Sequence, residues 1–223
     1  RTRKGEILKY GKMSRNNQVM NKNPDRRVNT SLTSGKEPET TDVVLSADTR
    51  FPVHGIATFD NEGAGSTGKS RTGFGLRHNN FLGLDDILLT QYTFGRDFSG
   101  IFAYHNVPVS PVGTNLVYGY SRSLASPKEQ VSGFNINSKA NNTSVSIHQD
   151  LFDKDEYRGE AFFGFDAKDK TVVLDAGTFK RDRHRILSLG TNFISLGAKG
   201  TASVYSGVFQ GVNAFGASKK DNP

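Results

Sequence analysis

One segment of the sequence has the residue types and spacing of a phosphate-binding loop. Residues 63–70 read GAGSTGKS, a match to the pattern G-x-x-x-x-G-K-[ST], whose backbone N–H groups and lysine hold a nucleotide. That chemistry requires a helix directly after the loop, because the helix N-terminus supplies further donors. Residues 71–78 instead read RTGFGLRH, with alternating polarity. We therefore interpret the segment as a glycine-rich hairpin turn, and a P-loop nucleotide-binding enzyme remains an alternative.

The remaining ionisable residues form no recognisable catalytic or metal-binding pattern. The five histidines lack metal-ligand spacing, and each is interpreted as a single residue on a polar face. Asp85 and Asp86 are interpreted as solvated turn residues. The absence of Cys excludes thiolate zinc sites and cysteine nucleophiles. We therefore expect a protein that is not an enzyme and that has no cofactor and no metal.

The overall charge does not indicate nucleic-acid binding. The net charge is +7 and the pI is about 9.6, but the basic residues are spread along the chain. The dense groups, in residues 1–15 and 180–185, have no nucleic-acid motif beside them. A solvated face or contact with anionic lipid head groups explains the same residues. Only 35% of the 223 residues are hydrophobic, and no apolar run reaches the ~18 residues of a membrane-spanning helix.

The elements that would position these residues change in character near residue 50. Before it, the sequence predicts a short helix over Met13–Asn23, a strand over Val28–Leu32, a turn over Gly35–Thr40 and a second strand over Thr41–Ala47. These elements form a small mixed α/β unit. We expect it to occupy residues 1–50.

From Phe51 onward, apolar and polar residues alternate with a two-residue period. The clearest cases are residues 160–166, 187–193 and 203–209, and in the last of these Tyr205 and Phe209 are assigned to the apolar face. The segments, separated by Gly, Asn, Asp, Ser and Pro, predict about eleven antiparallel strands. Such alternation is typical both of a soluble β-sandwich and of a transmembrane barrel with a polar lumen.

Segment length and composition favour the barrel over the sandwich. The strand segments are close to the ~9–11 residues that a tilted strand needs to cross a bilayer. The residues assigned to the inner face are Gly, Ser, Asn, Thr and charged residues, whereas a sandwich core requires large aliphatic side chains. The soluble β-sandwich binding protein remains an alternative.

Four passages of the sequence match, in order, the motifs of one known protein family. Residues 21–28 (NKNPDRRV) resemble its LN-x-NP-x-R-x-V passage, and residues 35–43 (GKEPETTDV) resemble a turn in which Glu39 replaces the usual glycine. Residues 59–71 and 79–85 resemble its first two barrel turns. The matching positions are Asn23, Pro24, Arg27, Val28, Gly35, Pro38, Thr41, Asp42, Asp60, Asn61, Gly63, Thr67, Gly68, Arg71, Asn79, Asn80, Gly83 and Asp85. In these passages the sequence resembles the haemolysin secretion/activator family of two-partner secretion translocators.

The resemblance implies a mostly β fold made of two parts. Residues 1–50 would be the C-terminal part of a POTRA (polypeptide-transport-associated) domain in the periplasm. Residues 51–223 would be the N-terminal portion of a transmembrane β-barrel in the bacterial outer membrane. The barrel would be incomplete, with about eleven of the family's roughly sixteen strands. We therefore expect the chain to be an internal piece of a longer protein.

The resemblance also implies the function and the partners. The protein would export one large secreted partner, an adhesin or haemolysin, from the periplasm to the cell surface. It would contact outer-membrane lipid and lipopolysaccharide, and would need neither nucleotide nor nucleic acid. The secreted client would add as a strand to the edge formed by Val28, Asn29, Thr30, Ser31 and Leu32, which Pro at Asn29 or Ser31 should block. A related insertase that assembles other barrels remains an alternative.

Overall fold

The computed structural model describes residues 5–127, 135–154, 156–175, 177–198 and 200–218. The first part consists of one helix and a two-stranded antiparallel sheet: α1 (Tyr10–Met20), β1 (Arg26–Ser34) and β2 (Thr41–Thr49). The predicted elements are present, with helix bounds shifted toward the N-terminus. The helix ends before Asn21 and Asn23 because both amide side chains bond to groups outside it, which competes with helical bonding.

The second part is a single nine-stranded sheet in which each strand pairs antiparallel with its neighbours in the sequence. Its strands are β3 (Val53–Asp60), β4 (Arg71–His78), β5 (Ile87–Gly95), β6 (Phe98–Ser110), β7 (Thr114–Ala125), β8 (Ile136–Asp153), β9 (Tyr157–Leu174), β10 (Gly177–Gly197) and β11 (Gly200–Gly211). The end of the sheet where β3 begins adjoins the first part, and we call it the junction end. It carries the turns at 79–86 and 111–113, the end of β8 with the start of β9, and the end of β10 with the start of β11.

The prediction of about eleven strands for this sheet was wrong: the described residues form nine. β8 and β9 have 18 residues each and β10 has 21, so each is longer than the segments assumed from the sequence. They contain polar residues, such as Asn141, Asn142 and Ser144, of the types predicted from the sequence to separate strands. In the sheet these residues continue the ladder, because β8 pairs without interruption from Ile136 to Asp150.

The two faces of this sheet differ in chemistry, as the alternation predicts. Register places residues such as Thr58, Gln91, Ser144, Glu160 and Asn192 on one side, which we call the polar face. The opposite side, the apolar face, carries residues such as Phe74, Tyr92, Val145, Phe163 and Leu189, all of them exposed. In the described residues the only buried hydrophobic side chains are Val28 and Val107. A soluble sandwich would instead bury its apolar face.

The face assignment was wrong for β11. Tyr205 pairs with Asn192 and Phe209 pairs with Ser188, so both aromatic residues lie on the polar face. Val204 and Val208 take the apolar face, where they are 62% and 70% exposed. The error arose because aromatic residues were taken to mark the apolar side, although register alone decides the side.

The segment 63–70 joins β3 to β4, which form a hairpin. It has one short 3₁₀ turn (Gly65–Thr67), and the chain then enters a strand instead of a helix. A Cβ at Gly63 would collide with the carbonyl oxygens of Gly68 and Lys69, and Gly68 has a φ of +93°. The signature glycines are therefore explained by a tight loop, and the helix required for phosphate binding is replaced by β4.

Candidate functional site

The outer edge of β1 is the first candidate site, because its backbone groups face away from β2. The side chain of Asn21 bonds to both backbone groups of Val28 at this edge. Its Nδ2 donates to the Val28 carbonyl (3.0 Å), and its Oδ1 accepts from the Val28 N–H (2.7 Å). Arg50 N donates to the Asp25 carbonyl and Gly35 N donates to the Thr40 carbonyl. These two bonds show which residues of β1 pair with β2, because in an antiparallel pair every second residue directs its N–H and C=O to the partner strand. The N–H and C=O of Val28, Thr30 and Leu32 point outward, whereas those of Asn29 and Ser31 pair with β2.

This alternation corrects the proline test based on the sequence. Proline at Asn29 or Ser31 would remove a donor that β1 shares with β2, and would weaken the hairpin itself. The side chain of Asn21 already bonds to the outward N–H and C=O of Val28. Within the predicted edge, the remaining outward main-chain groups are those of Thr30 and Leu32, and Leu32 is 48% exposed.

The second candidate site is the contact between the first part and the β4–β5 turn. Asn23 Nδ2 donates to the Asn79 carbonyl (2.7 Å) and to Asp85 Oδ1 (3.0 Å). The Arg26 guanidinium forms a two-pronged ion pair with Asp85, with N···O distances of 2.9 and 2.7 Å. Two passages about 60 residues apart in the sequence therefore meet at the junction end. Sequence reasoning singled out Arg27, but Arg27 is exposed, and Arg26 makes these bonds.

The contact between the first part and the sheet, which we call the junction, has a second set of bonds around the buried Asp25. Its carboxylate accepts from Asn79 Nδ2 (2.7 Å) and lies 2.9 Å from His54 Nε2. Asn79, 2% exposed, accepts from Arg77 Nε through its Oδ1 (2.7 Å). Neither Asp25 nor His54 was identified from the sequence. Their proximity depends on the turn from β2 into β3, which the sequence pattern does not reveal.

The Asp25 carboxylate makes the junction sensitive to acid. Its hydrogen bonds with His54 and Asn79, helped by the charges of His54 and Arg77, outweigh the effect of burial and lower the pKa of Asp25 from 3.8. A lowered folded-state pKa stabilises the fold above the unfolded pKa, and this contribution is lost as the pH falls through the folded value. We expect the stability difference between the wild type and Asp25→Asn to shrink below pH 3.8 in urea unfolding. A difference independent of pH would contradict this.

The interpretation of Asp85 and Asp86 as solvated turn residues was wrong for Asp86, which is 0% exposed. Its Oδ2 lies 2.6 Å from His105 Nε2, and its Oδ1 accepts from the Leu82 N–H (2.8 Å). His105 Nδ1 lies 2.6 Å from the Tyr118 hydroxyl. The two adjacent carboxylates thus point in opposite directions, Asp85 toward the first part and Asp86 into the sheet. Asp85 makes this possible with a φ of +61°.

The pairing of Asp86 also corrects the interpretation of the histidines as single residues on a polar face. His105 is 4% exposed and lies on the apolar face. His54 pairs with Asp25, and His148 Nδ1 lies 2.8 Å from Glu160. No group of three or more possible metal ligands occurs among the described residues.

Two cavities connect the junction to the polar face. One, of about 1030 Å³, lies at the junction end and is lined by residues that include Asn21, Lys22 and Asp150. The other, of about 330 Å³, lies farther along the polar face beside His148. Glu160 and Asn192 line both cavities, so the first opens onto the polar face.

Lys22 joins the first part to the wall of the larger cavity through ion pairs. Its Nζ is 2.9 Å from Asp150 and 3.1 Å from Asp153, at the junction end of β8. Burial opposes its charge, but the hydrogen bonds to both carboxylates outweigh that effect and raise the pKa of Lys22. The cation is therefore part of the contact between the two parts of the chain.

The other signature residues lie in turns, or in the strand ends beside them, that are remote from the junction. Gly35, Pro38, Thr41 and Asp42 belong to the β1–β2 hairpin, whereas Asp60 and Asn61 lead into the 63–70 loop. At the far end of the sheet, Thr67 is buried and its carbonyl accepts from Asp97 N, while Arg71 stacks over the Phe98 ring at 4.1 Å. These positions shape turns, and the structure does not bring them to the edge or the junction.

Glu39 occupies the position where the resemblance suggests glycine, and its φ is +61°. Non-glycine residues are disfavoured in this left-handed region by roughly 1–2 kcal/mol. Glycine at this position relieves that strain but makes the unfolded chain more flexible. We therefore expect Glu39→Gly to stabilise the β1–β2 unit by up to about 1 kcal/mol in thermal unfolding. Glu39→Ala, which keeps the Cβ, serves as the control, and equal stability of the two variants would contradict the explanation.

Among the described residues, α1 has 11 residues, whereas a helix needs about 20 apolar residues to span a bilayer.

Comparison with known proteins relates the chain to one family. Residues 39–223 match the family model described as haemolysin secretion/activation protein ShlB/FhaC/HecB. The chain is also 30% identical over 119 residues to the outer membrane transporter CdiB of Dickeya dadantii (strain 3937). That match covers 53% of this chain and 21% of CdiB.

Solved structures share the fold. CdiB from Escherichia coli matches with a TM-score of 0.81 at 20% identity, over 98% of this chain and 42% of that chain. BamA from Haemophilus ducreyi, lacking POTRA domains 1–3, matches with a TM-score of 0.61 at 12% identity, over 94% and 44% respectively. The chain spans less than half the length of each of these proteins. The nine-stranded sheet has the fold of part of their β-barrels, which confirms the predicted mostly β, incomplete-barrel class.

Proposed function

We propose, since this chain belongs to the haemolysin secretion/activation family, that its protein exports a large secreted partner polypeptide across the bacterial outer membrane. The family is one of transporters. In our proposal the protein catalyses no reaction and uses no nucleotide. The sheet would form part of the barrel wall, with its apolar face toward lipid and lipopolysaccharide and its polar face lining the lumen.

The observation that carries this proposal is the continuous route from the junction cavity along the polar face. Glu160 and Asn192 border both cavities, and Ser144, Ser146 and His148 line the second one together with Phe162, Tyr205 and Phe209. An unfolded polypeptide needs a hydrated lumen, because its backbone groups cannot be left unpaired in hydrocarbon. The route therefore has the chemistry that an extended client requires.

The first part would be the remainder of a POTRA domain on the periplasmic side. Its β1 edge offers the outward N–H and C=O groups of Thr30 and Leu32, to which an extended client could add as a strand. Main-chain pairing places few demands on the client's sequence. The bonds of Lys22, Asn23 and Arg26 to the sheet would keep this edge at the entrance of the lumen.

A barrel-assembly insertase is the second candidate, and the fold likeness to BamA is the observation in its favour. The family match and the similarity to a curated outer membrane transporter favour export instead. The nucleotide enzyme is not retained, because β4 stands where its helix is required.

Deletion of the gene, with complementation by the full-length gene, tests the proposal. The probe is an epitope-tagged large exoprotein encoded beside the gene. We expect its exposure to external protease to be lost on deletion and restored by complementation, with the amounts of other outer-membrane barrels unchanged. Undiminished exposure would contradict export. A general fall in other barrels would favour the insertase.

A further inference from the structure

The loop between β4 and β5, residues 79–86, presents two large apolar side chains that no other part of the described chain covers. Phe81 is 55% exposed and Leu82 is 53% exposed. The loop conformation is nonetheless fixed by its backbone. Gly83 and Asp85 have positive φ, and the Asp85 N–H donates to Asn80 Oδ1 (2.9 Å). Its apolar tip is therefore held in one place by the backbone.

Ring contacts place Phe81 on the apolar face. Its ring centroid lies 5.7 Å from that of His78 and 6.1 Å from that of His105. Both histidines occupy apolar-face positions, and His78 follows Phe74 and Leu76 along the same side of β4. Phe81 therefore continues this exposed apolar row at the junction end of the sheet.

The two buried ionisable groups beneath the tip, Asp86 and His105, are paired with each other and with neighbouring groups. The Asp86 carboxylate accepts from the backbone of Leu82, at 2.8 Å, and of Leu84, at 3.4 Å, and it pairs with His105. His105 in turn contacts the Tyr118 hydroxyl. Ionisable groups are tolerated next to hydrocarbon only when they are paired and covered. The Asp86–His105 pair meets both conditions.

We propose that Phe81 and Leu82 insert among the lipid acyl chains of the periplasmic leaflet and fix the depth of the barrel beside the junction. This inference rests on the proposed function, which places the apolar face in lipid. Aromatic side chains at the ends of strands commonly form such interfacial belts. Lipid is the expected occupant because the tip is continuous with the apolar face, whereas Asp85 and Arg26 form the protein contact from the other side of the loop.

Spin labels on introduced cysteines test this placement in the full-length protein, with any native Cys replaced, in vesicles of phosphatidylethanolamine and phosphatidylglycerol. The 223-residue sequence contains no Cys. The test position is Leu82. Leu189, 60% exposed on the apolar face, is the lipid control, and Leu32 is the aqueous control. Collisions with oxygen report lipid, and collisions with a water-soluble nickel chelate report solvent.

We expect the ratio of oxygen to nickel accessibility at Leu82 to be several-fold above that at Leu32 and to approach that at Leu189. A ratio equal to that at Leu32 would overturn the inference, as would shielding from both reagents, which would indicate a protein cover. An aqueous label at Leu189 would instead contradict membrane placement and thus the proposed function. Each variant is measured only if it shows heat-modifiable migration in gels, which reports a folded barrel.

Discussion

Leu32→Pro is expected to reduce client export strongly while the protein still reaches the outer membrane. The N–H of Leu32 points away from β2, so proline there removes a donor offered to an added strand but no bond of the β1–β2 ladder. Losing one or two main-chain hydrogen bonds costs about 1–3 kcal/mol, a fall in client affinity of roughly tenfold to a hundredfold. Export of the tagged exoprotein measures the effect.

The matched control for this variant is Leu32→Ala, which removes the side chain but keeps the N–H. We expect Leu32→Ala to export nearly as well as the wild type, because strand addition depends on the main chain. Equal export by the proline variant, at an equal amount of folded protein in the membrane, would rule out this edge as the entry site. An equal loss in both variants would indicate recognition of the side chain.

Asp86→Ala is expected to be the most destabilising single change at the β4–β5 turn. It removes the partner of His105, which is 4% exposed, and leaves two loop N–H groups without an acceptor. Breaking a buried pair by removing one partner typically costs about 3–5 kcal/mol. Urea unfolding of the reconstituted barrel, followed by heat-modifiable migration, measures the loss.

The neighbouring Asp85→Ala is the control, because Asp85 pairs with Arg26 at a partly exposed site. Its side chain is 35% exposed, so water screens the pair, and removing one partner costs less than it does in a buried pair. We therefore expect a small change in barrel stability. Comparable destabilisation by the two variants would show that the burial of Asp86 is not what stabilises the turn.

Much of the fold could be predicted from the sequence because it depends on local periodicity. The predicted strand Val28–Leu32 lies within β1, and the glycine-rich segment 63–70 forms the predicted hairpin loop. Local patterns could not supply the number of strands or the face of Tyr205 and Phe209. Both depend on register with a neighbouring strand, which is set across the sheet and not along the chain.

The candidate site was less predictable, because its contacts join distant residues. Asp86 and His105 are 19 residues apart, and Arg26 and Asp85 are 59 residues apart. The signal available was the Asp85-Asp86 doublet after Gly83, which indicates a turn but not the directions of its carboxylates. Resemblance identified Asn23, Asn79 and Asp85 as important positions, and the structure shows that Asn23 bonds to the other two, which sequence alone could not.

The central claim, that a client polypeptide passes along the polar face, is tested most directly by photocrosslinking during export. A benzophenone amino acid is placed at Ser144, on the polar face, or at Val145, the adjacent residue on the apolar face. A client stalled by a folded domain at its C-terminus then occupies the lumen. We predict a crosslink to the client from Ser144 and none from Val145. A client crosslinked equally from both positions, or from neither while export proceeds, would contradict the account.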